Sequence, residues 1–156
     1  MRDDRGFTLV EVMVTTVLMV IVGALTMTSL VAYARAQDHQ SSAEEVVSVL
    51  RTTAQRSLAE GRTHCVAFDT AAETWTVRRT TCAATGTVVG QGDARTGISL
   101  QAAAFTLQPT QACPGGASCV YFTPRGTASP GTVGIARAAD VITVTVEGLS
   151  SRVSRS

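Results

Sequence analysis

The sequence predicts an α+β protein in which one long N-terminal helix precedes, and packs on, a C-terminal antiparallel β-domain. Three observations predict this class: an uncharged apolar run over residues 12–34, an apolar stripe of helical period after it, and several β-prone runs beyond Arg62. The 156 residues, with 45% hydrophobic side chains and a net charge of +1, fit one modest domain plus one spanning helix. The balanced charge gives no indication of a nucleic-acid or acidic partner.

The first element is the apolar run, which begins after Glu11. Between Phe7 and Ala34, Glu11 is the only side chain charged at neutral pH. From Val12 onward a helix is roughly 35 Å long, enough for a bilayer core of about 30 Å. A cleavable secretory signal has a shorter core of about 7–15 residues and a small residue after it, whereas here the small residue, Gly6, comes before the run. Residues 7–34 are therefore predicted to form a transmembrane helix that stays on the mature protein.

Residues 1–6 form a short polar leader, in which Arg2 and Arg5 are offset by two aspartates. Only Arg35 lies directly beyond the apolar run. Since basic residues next to a span favour the cytoplasmic side, this asymmetry predicts a cytoplasmic N-terminus and an extracytoplasmic C-terminal domain.

Residues 35–61 continue the helix in amphipathic form. The apolar side chains recur at steps of three and four residues: Ala43, Val46, Val47, Leu50, Ala54 and Leu58. Gly61 follows the stripe as a natural C-cap. One helix is therefore predicted from Phe7 to about Glu60, with its second half covering a globular domain.

Residues 62–156 are predicted to form the β-rich domain. Residues 63–69 and 74–80 are β-prone runs separated by four residues, which predicts a hairpin. Residues 119–123 and 141–147 are further predicted strands, and 86–107 is ambiguous, with room for two short ones. Glycine and proline mark residues 109–116 and 124–131 as loops.

The string Gly6-Phe7-Thr8-Leu9-Val10-Glu11 closely resembles the prepilin signature of type IV pilins and type II secretion pseudopilins. The resemblance implies that a prepilin peptidase cuts after Gly6 and that the new N-terminus, Phe7, is methylated. It also implies that Glu11 pairs with the Phe7 ammonium of a neighbouring subunit, because a buried carboxylate is tolerated beside an opposite charge. The alternative is an interfacial Glu11 that the helix dipole stabilises.

The resemblance extends beyond the leader to the β-domain. Residues Phe122-Thr123-Pro124-Arg125-Gly126 and the final Thr-Val-rich strand are similar to the GspH/FimT branch of pseudopilins, and residues 54–61 match it more loosely. Some FimT-type members carry a Gly-Arg-x-Arg tail that is linked to DNA binding. Here the tail reads Gly148-Leu149-Ser150-Ser151-Arg152, so only Arg152 and Arg155 remain as candidate DNA contacts.

Four cysteines lie in the domain that we place outside the cytoplasm: Cys65, Cys82, Cys113 and Cys119. An even number in an exported domain predicts two disulfides, with three possible connectivities. Cys113–Cys119 is favoured because it closes a short flexible loop, and Cys65–Cys82 follows by elimination. The second pair has a difficulty, because a tight hairpin turn places Cys65 opposite about Arg78 instead of Cys82. The alternative to two disulfides is a zinc site that uses these cysteines as ligands. Against it, the chain has no Cys-x-x-Cys pair, and its two histidines are far apart in sequence.

No catalytic constellation is present in the sequence, and no cofactor is predicted. His64 beside Cys65 would resemble a thiol–base pair, but neighbouring strand residues point to opposite faces, which favours a surface or core histidine. The predicted function is a structural subunit: a minor pilin or pseudopilin that partners other such subunits in the inner (cytoplasmic) membrane and then in a filament. The alternative is a FimT-like competence pilin that binds DNA for uptake. An anchored enzyme is the third class, and no residues support it.

Overall fold

The computed structural model of the protein describes residues 8–156, with residues 25–29, 32 and 102 described by their backbone alone. The elements are α1 (Leu9–Glu60), β1 (His64–Asp69), β2 (Thr74–Arg79), β3 (Thr87–Asp93), β4 (Ser99–Phe105), β5 (Ala117–Phe122), β6 (Gly131–Arg137), β7 (Asp140–Val146) and β8 (Val153–Arg155). The predicted α+β class is confirmed. The chain divides into two compact units, one ending at Asp38 and one running from His39 to Ser156.

Helix α1 is terminated at both ends by signals that are present in the sequence. Thr8 is the N-cap, since its Oγ1 accepts a hydrogen bond of 3.2 Å from the backbone N–H of Glu11. At the other end Gly61 has a φ of 61°, and the N–H of Arg62 donates to the carbonyl of Ser57 at 3.2 Å. This is a Schellman termination, for which a glycine with positive φ is the favoured residue.

In the first unit, the described large apolar side chains of α1 are exposed on all sides of the helix, among them Leu9, Met19 and Leu30. The hydroxyls of Thr15 and Thr16 donate to backbone carbonyls one turn earlier, so neither is an unsatisfied polar group. Within the described residues, no helix segment is both long and apolar enough to cross a membrane. The transmembrane assignment of residues 7–34 stays a prediction.

The second unit contains two antiparallel four-stranded sheets. Their strand orders are β3-β2-β1-β5 and β4-β6-β7-β8. The buried core combines the apolar stripe of α1 with inward-facing side chains of both sheets, including Leu50, Phe68, Phe122 and Val133. The β1–β2 hairpin has the predicted register, with Cys65 opposite Arg78.

The predicted helix stripe is wrong at its last position. Leu58 is 54% exposed, whereas Ser57 is buried and its hydroxyl donates to the carbonyls of Ala54 and Thr123. Four residues advance a helix by about 400°, so a stripe built on repeated four-residue steps rotates away from the core by about 40° each time. Ser57 follows Leu50 by seven residues, which nearly restores the original direction.

Two strands were not predicted. β6 begins at Gly131, the last residue of the predicted loop 124–131, and β8 is only three residues long. Both strands pair with β7, which was predicted. The ambiguous segment 86–107 contains β3 and β4.

Candidate functional site

The N-terminal motif is only partly covered by the described residues. Gly6 and Phe7, the predicted cleavage and methylation positions, lie outside them. Glu11 is in the first turn of α1, where the exposed N–H groups of the helix favour a negative charge. The Glu11 side chain is exposed and forms no ion pair with another described residue. Its carboxylate is therefore accessible to a group from outside the chain, and its pairing with a neighbouring Phe7 stays a prediction.

The four cysteines form the disulfides Cys65–Cys82 and Cys113–Cys119. The Cα atoms of the two pairs are 5.7 Å and 5.8 Å apart, which is the ordinary span of a disulfide. The hairpin register does not prevent the first bond. β2 ends at Arg79, the chain turns at Thr80 with a φ of 77°, and Cys82 lies in the segment that folds back beside β1.

Tyr121 links the two disulfide-bonded segments, and sequence reasoning missed it. Its hydroxyl accepts a hydrogen bond of 3.0 Å from the backbone N–H of Cys82 and donates to the carbonyl of Ala112 beside Cys113. The ring is buried in a small cluster with both disulfides. Tyr121 follows Cys119 by two positions on β5, so both face the same side of the sheet. That spacing would have placed Tyr121 on the side of Cys119, although it gives no indication of the contact with Cys82.

His64 is a buried structural residue. Its Nδ1 lies 3.2 Å from the carbonyl oxygen of Arg62, and its Nε2 lies 3.4 Å from a carboxylate oxygen of Glu60. The same oxygen of Glu60 is 3.0 Å from Nε of Arg79. Because Cys65 is in a disulfide, it has no thiol for His64 to activate. The cluster ties the end of α1 to the start of β1 and the end of β2.

The two tail arginines have different surroundings. Arg155 pairs with Glu44 of α1 at 3.1 Å. Arg152 is exposed and lines a groove of about 300 Å³ with Arg51 and Gln55. Arg51 donates a hydrogen bond of 2.9 Å to the carbonyl of Val153, the first residue of β8. One candidate DNA contact is thus neutralised within the chain, and the other is available to an external group.

No metal centre is found in residues 8–156, where no three side chains of histidine, cysteine, aspartate or glutamate come together. With all four cysteines in disulfides, the thiolate ligands of a zinc site are not available.

A helix that begins at a prepilin-type motif and continues into a small antiparallel β-domain defines a pilin-like protein. The chain belongs to the family of the type II transport protein GspH, whose model matches residues 42–150. The prokaryotic N-terminal methylation motif matches residues 1–27. A comparison with curated protein sequences gives no significant match.

Solved structures share the fold. The minor pseudopilin EpsH from the type 2 secretion system of Vibrio cholerae is 16% identical, with a TM-score of 0.58, and the alignment covers 76% of this chain and 96% of EpsH. The type IV minor pilin FimU of Pseudomonas aeruginosa is 12% identical, with a TM-score of 0.59, and the alignment covers 80% of this chain and 92% of FimU. At such identities the likeness concerns the fold.

Proposed function

We propose that the protein is a minor pilin or pseudopilin that assembles with other such subunits into a type IV pilus or a type II secretion pseudopilus. The proposal is carried by two family matches that follow one another along the chain: the methylation motif matches residues 1–27, and the GspH domain matches residues 42–150. The proposed role is that of a structural subunit, which the match to the GspH family supports.

Processing and anchoring follow from the same assignment. A prepilin peptidase removes residues 1–6 by cutting after Gly6, and Phe7 becomes the methylated N-terminus. Residues 7–34 hold the protein in the cytoplasmic membrane with the N-terminus inside and residues 62–156 outside. The exposed apolar side chains around the described part of this helix support the anchoring, because a helix that is apolar on all sides requires lipid or protein around it.

Intact-mass measurement of the membrane form tests the proposed function. In cells that contain the peptidase, the mature chain is expected to begin at Phe7 and to carry one added methyl group. The same protein from cells without the peptidase serves as the control and should retain residues 1–6. A mature chain that begins after Ala34 would show that the apolar segment is a cleaved signal, and the proposed function would be wrong.

Glu11→Leu is expected to insert into the membrane normally but to be depleted in filaments. Insertion does not suffer, because the desolvation cost of the carboxylate, about 2–3 kcal/mol at depth, is removed. Assembly suffers because the ammonium of a neighbouring Phe7 loses its counter-charge in a dry environment. The measurement compares the amount of the protein in the membrane and in the sheared filament fraction. Equal incorporation of wild type and variant would show that Glu11 is only interfacial.

DNA capture is the second candidate function, and one observation favours it: Arg152 and Arg51 line the same open groove. Against it, Arg155 is paired with Glu44, and the tail lacks the Gly-Arg-x-Arg sequence. We expect the fragment from Gln37 onward to bind DNA without sequence preference, with a Kd of about 10⁻⁴–10⁻⁶ M at physiological salt, as charge contacts alone give. A fluorescence titration checks this value. If the fragment binds DNA with a submicromolar Kd, and the double variant Arg152→Ala, Arg155→Ala loses this binding, the DNA-uptake function is favoured instead.

A further inference from the structure

The unit from His39 to Ser156 has two ends along the axis of α1, and strand register shows which residues lie at each. At the end where α1 finishes, His64 pairs with Arg79 and with Phe122. At the opposite end, Asp69 pairs with Thr74 and with Ala117. We call these the upper end and the lower end of the β-domain.

The flanks of α1 are largely neutralised by ion pairs within the chain. Glu44 pairs with Arg155 at 3.1 Å, Glu45 with Arg95 at 3.7 Å, and Glu60 with Arg79 at 3.0 Å. Exposed pairs of this kind contribute little to stability. Their consequence is that the remaining unpaired charges determine the electrostatic character of the two ends.

The upper end exposes positive charge. Arg62, Arg125 and Arg152 are exposed, and none of them forms an ion pair with another described residue. The loop that carries Arg152 is fixed against the loop that carries Arg125, because the Ser151 hydroxyl donates to the Gly126 carbonyl at 2.8 Å.

An apolar side chain accompanies these arginines. Leu149, in the same loop as Arg152, is 92% exposed. Glu147 also lies at this end and carries a negative charge, unlike these arginines. One of its carboxylate oxygens accepts a hydrogen bond from the Ser150 hydroxyl at 2.8 Å. The upper face is defined as Arg62, Arg125, Leu149 and Arg152.

The lower end exposes negative charge around a small apolar tip. Asp69 accepts hydrogen bonds from the N–H groups of Ala71 and Ala72, at 3.0 Å and 2.9 Å, which fixes the β1–β2 turn. Glu73 and Asp93 are exposed neighbours, since the N–H of Ala94 donates to the Glu73 carbonyl at 2.8 Å. Neither carboxylate forms an ion pair within the described part of the chain. The lower face is defined as Asp69, Ala71, Ala72, Glu73 and Asp93.

The β6–β7 turn also lies at the lower end, because the Ile135 carbonyl of β6 is 2.9 Å from Nε2 of His39, and the turn carries one charge of each sign, Arg137 and Asp140. This turn therefore leaves the negative character of the lower face unchanged. Each face thus has an apolar contact surrounded by charges of one sign, and the two signs are opposite. A surface of this kind lowers its electrostatic energy when an oppositely charged surface binds to it, and the complementarity also selects the orientation.

We propose that the upper face of one copy of this chain binds the lower face of a second copy, in line along the axis of α1. Such an interface is heterologous, because two different surfaces meet. It builds an open row of subunits unless the rotation between successive copies closes a ring. This inference depends on the proposed function in one respect only, namely that neighbouring subunits in a filament are offset from one another along the filament axis.

The composition of the chain provides a specific test, because it contains no lysine. Arg125→Lys conserves the charge of the upper face and introduces the only side-chain amine. A carbodiimide couples an amine directly to a carboxylate that is in ion-pair contact with it. The full chain in detergent is prepared as an equal mixture of ¹⁴N- and ¹⁵N-labelled protein, treated with carbodiimide, reduced and cleaved with trypsin. Links between differently labelled peptides then identify contacts between copies.

Links are expected from residue 125 of one copy to peptide 63–78 or 80–95 of another, since these peptides contain Asp69, Glu73 and Asp93. In the Arg125→Lys background, Arg152→Glu should lower the yield of these links by roughly threefold or more, because it places a like charge against the lower face. Arg56→Glu is the matched control. It changes the net charge equally, but it lies on the flank of α1 beside Trp75 and should leave the yield unchanged.

Arg95→Lys is the control for the chemistry, because its amine should couple to Glu45 within the same copy. Arg152→Lys repeats the test from a second position on the upper face. The proposal is wrong if neither upper-face lysine links to those peptides at high protein concentration and low salt while the Arg95→Lys control couples. It is also wrong if the links go to other carboxylates. If these links are absent but the chain is processed normally at Phe7, the interface is wrong and the proposed function is unaffected. If processing at Phe7 fails, the proposed function is wrong and the cross-linking result still decides the interface.

Discussion

Gly6→Glu is expected to remain uncleaved, with residues 1–6 still attached to the membrane-bound protein. The predicted cut lies next to an apolar helix, so the peptidase must bind position 6 at the edge of the membrane. Glycine places neither a side chain nor a charge there. A carboxylate that the peptidase desolvates there without pairing it costs about 2–3 kcal/mol. That penalty alone corresponds to a loss of roughly one hundredfold in cleavage.

Gly6→Ala is the matched control for this variant, because it adds a single methyl group without charge and should still be cleaved, although more slowly. The measurement is the intact mass of the membrane-bound chain after a fixed time of expression with the peptidase. Loss of filament incorporation should accompany the loss of cleavage, since the uncleaved chain has no free Phe7 ammonium for a neighbouring Glu11. Normal cleavage of Gly6→Glu would contradict the assignment of the cleavage site.

Replacing Cys65 and Cys82 together by alanine is expected to cause the largest loss of stability among the disulfide variants. The bond closes a loop with a sequence separation of 17, for which loop-closure entropy predicts about 3 kcal/mol. Both cysteines are fully buried, so their removal also leaves a cavity in the cluster around Tyr121. We therefore expect a loss of at least about 3 kcal/mol in the free energy of unfolding.

The matched control is Cys113→Ala with Cys119→Ala. Its sequence separation is only 6, which predicts about 2 kcal/mol from the same relation, and Cys113 is half-buried. Urea unfolding of the fragment from Gln37 onward checks both values, with Trp75 as the single tryptophan reporter. Equal losses for the two pairs, or a negligible loss for Cys65–Cys82, would contradict the expected order.

Local signals in the sequence were sufficient for the helix and for most strands. Gly61 predicted the helix end, because a C-cap acts through hydrogen bonds within one turn. The N-cap Thr8 is an equally local signal, but the sequence analysis did not use it and began the helix at Phe7. The β1–β2 hairpin was predictable for the same reason, since its register depends on a four-residue turn. The family resemblance of residues 6–11 is likewise a property of adjacent residues.

Contacts between distant residues were decided only by the tertiary structure. β8 is three residues long, too short to be predicted by its own pattern, and it is held by β7 and by Arg51 of α1. The hydroxyl of Tyr121 reaches Cys82 across 39 positions, which no periodicity indicates.

The positions of the charged side chains show most clearly the difference between what the sequence determines and what the tertiary structure determines. In the sequence, the arginines and carboxylates after residue 61 alternate without an evident pattern. Antiparallel pairing reverses the chain at every turn, so Asp69 and Glu73 come to one end of the domain while Arg62 and Arg125 come to the other. The sequence by itself determined a motif, a helix and the alternation of strands. The division into a positive and a negative end depends on where each strand begins and ends in space, and only the fold decides that.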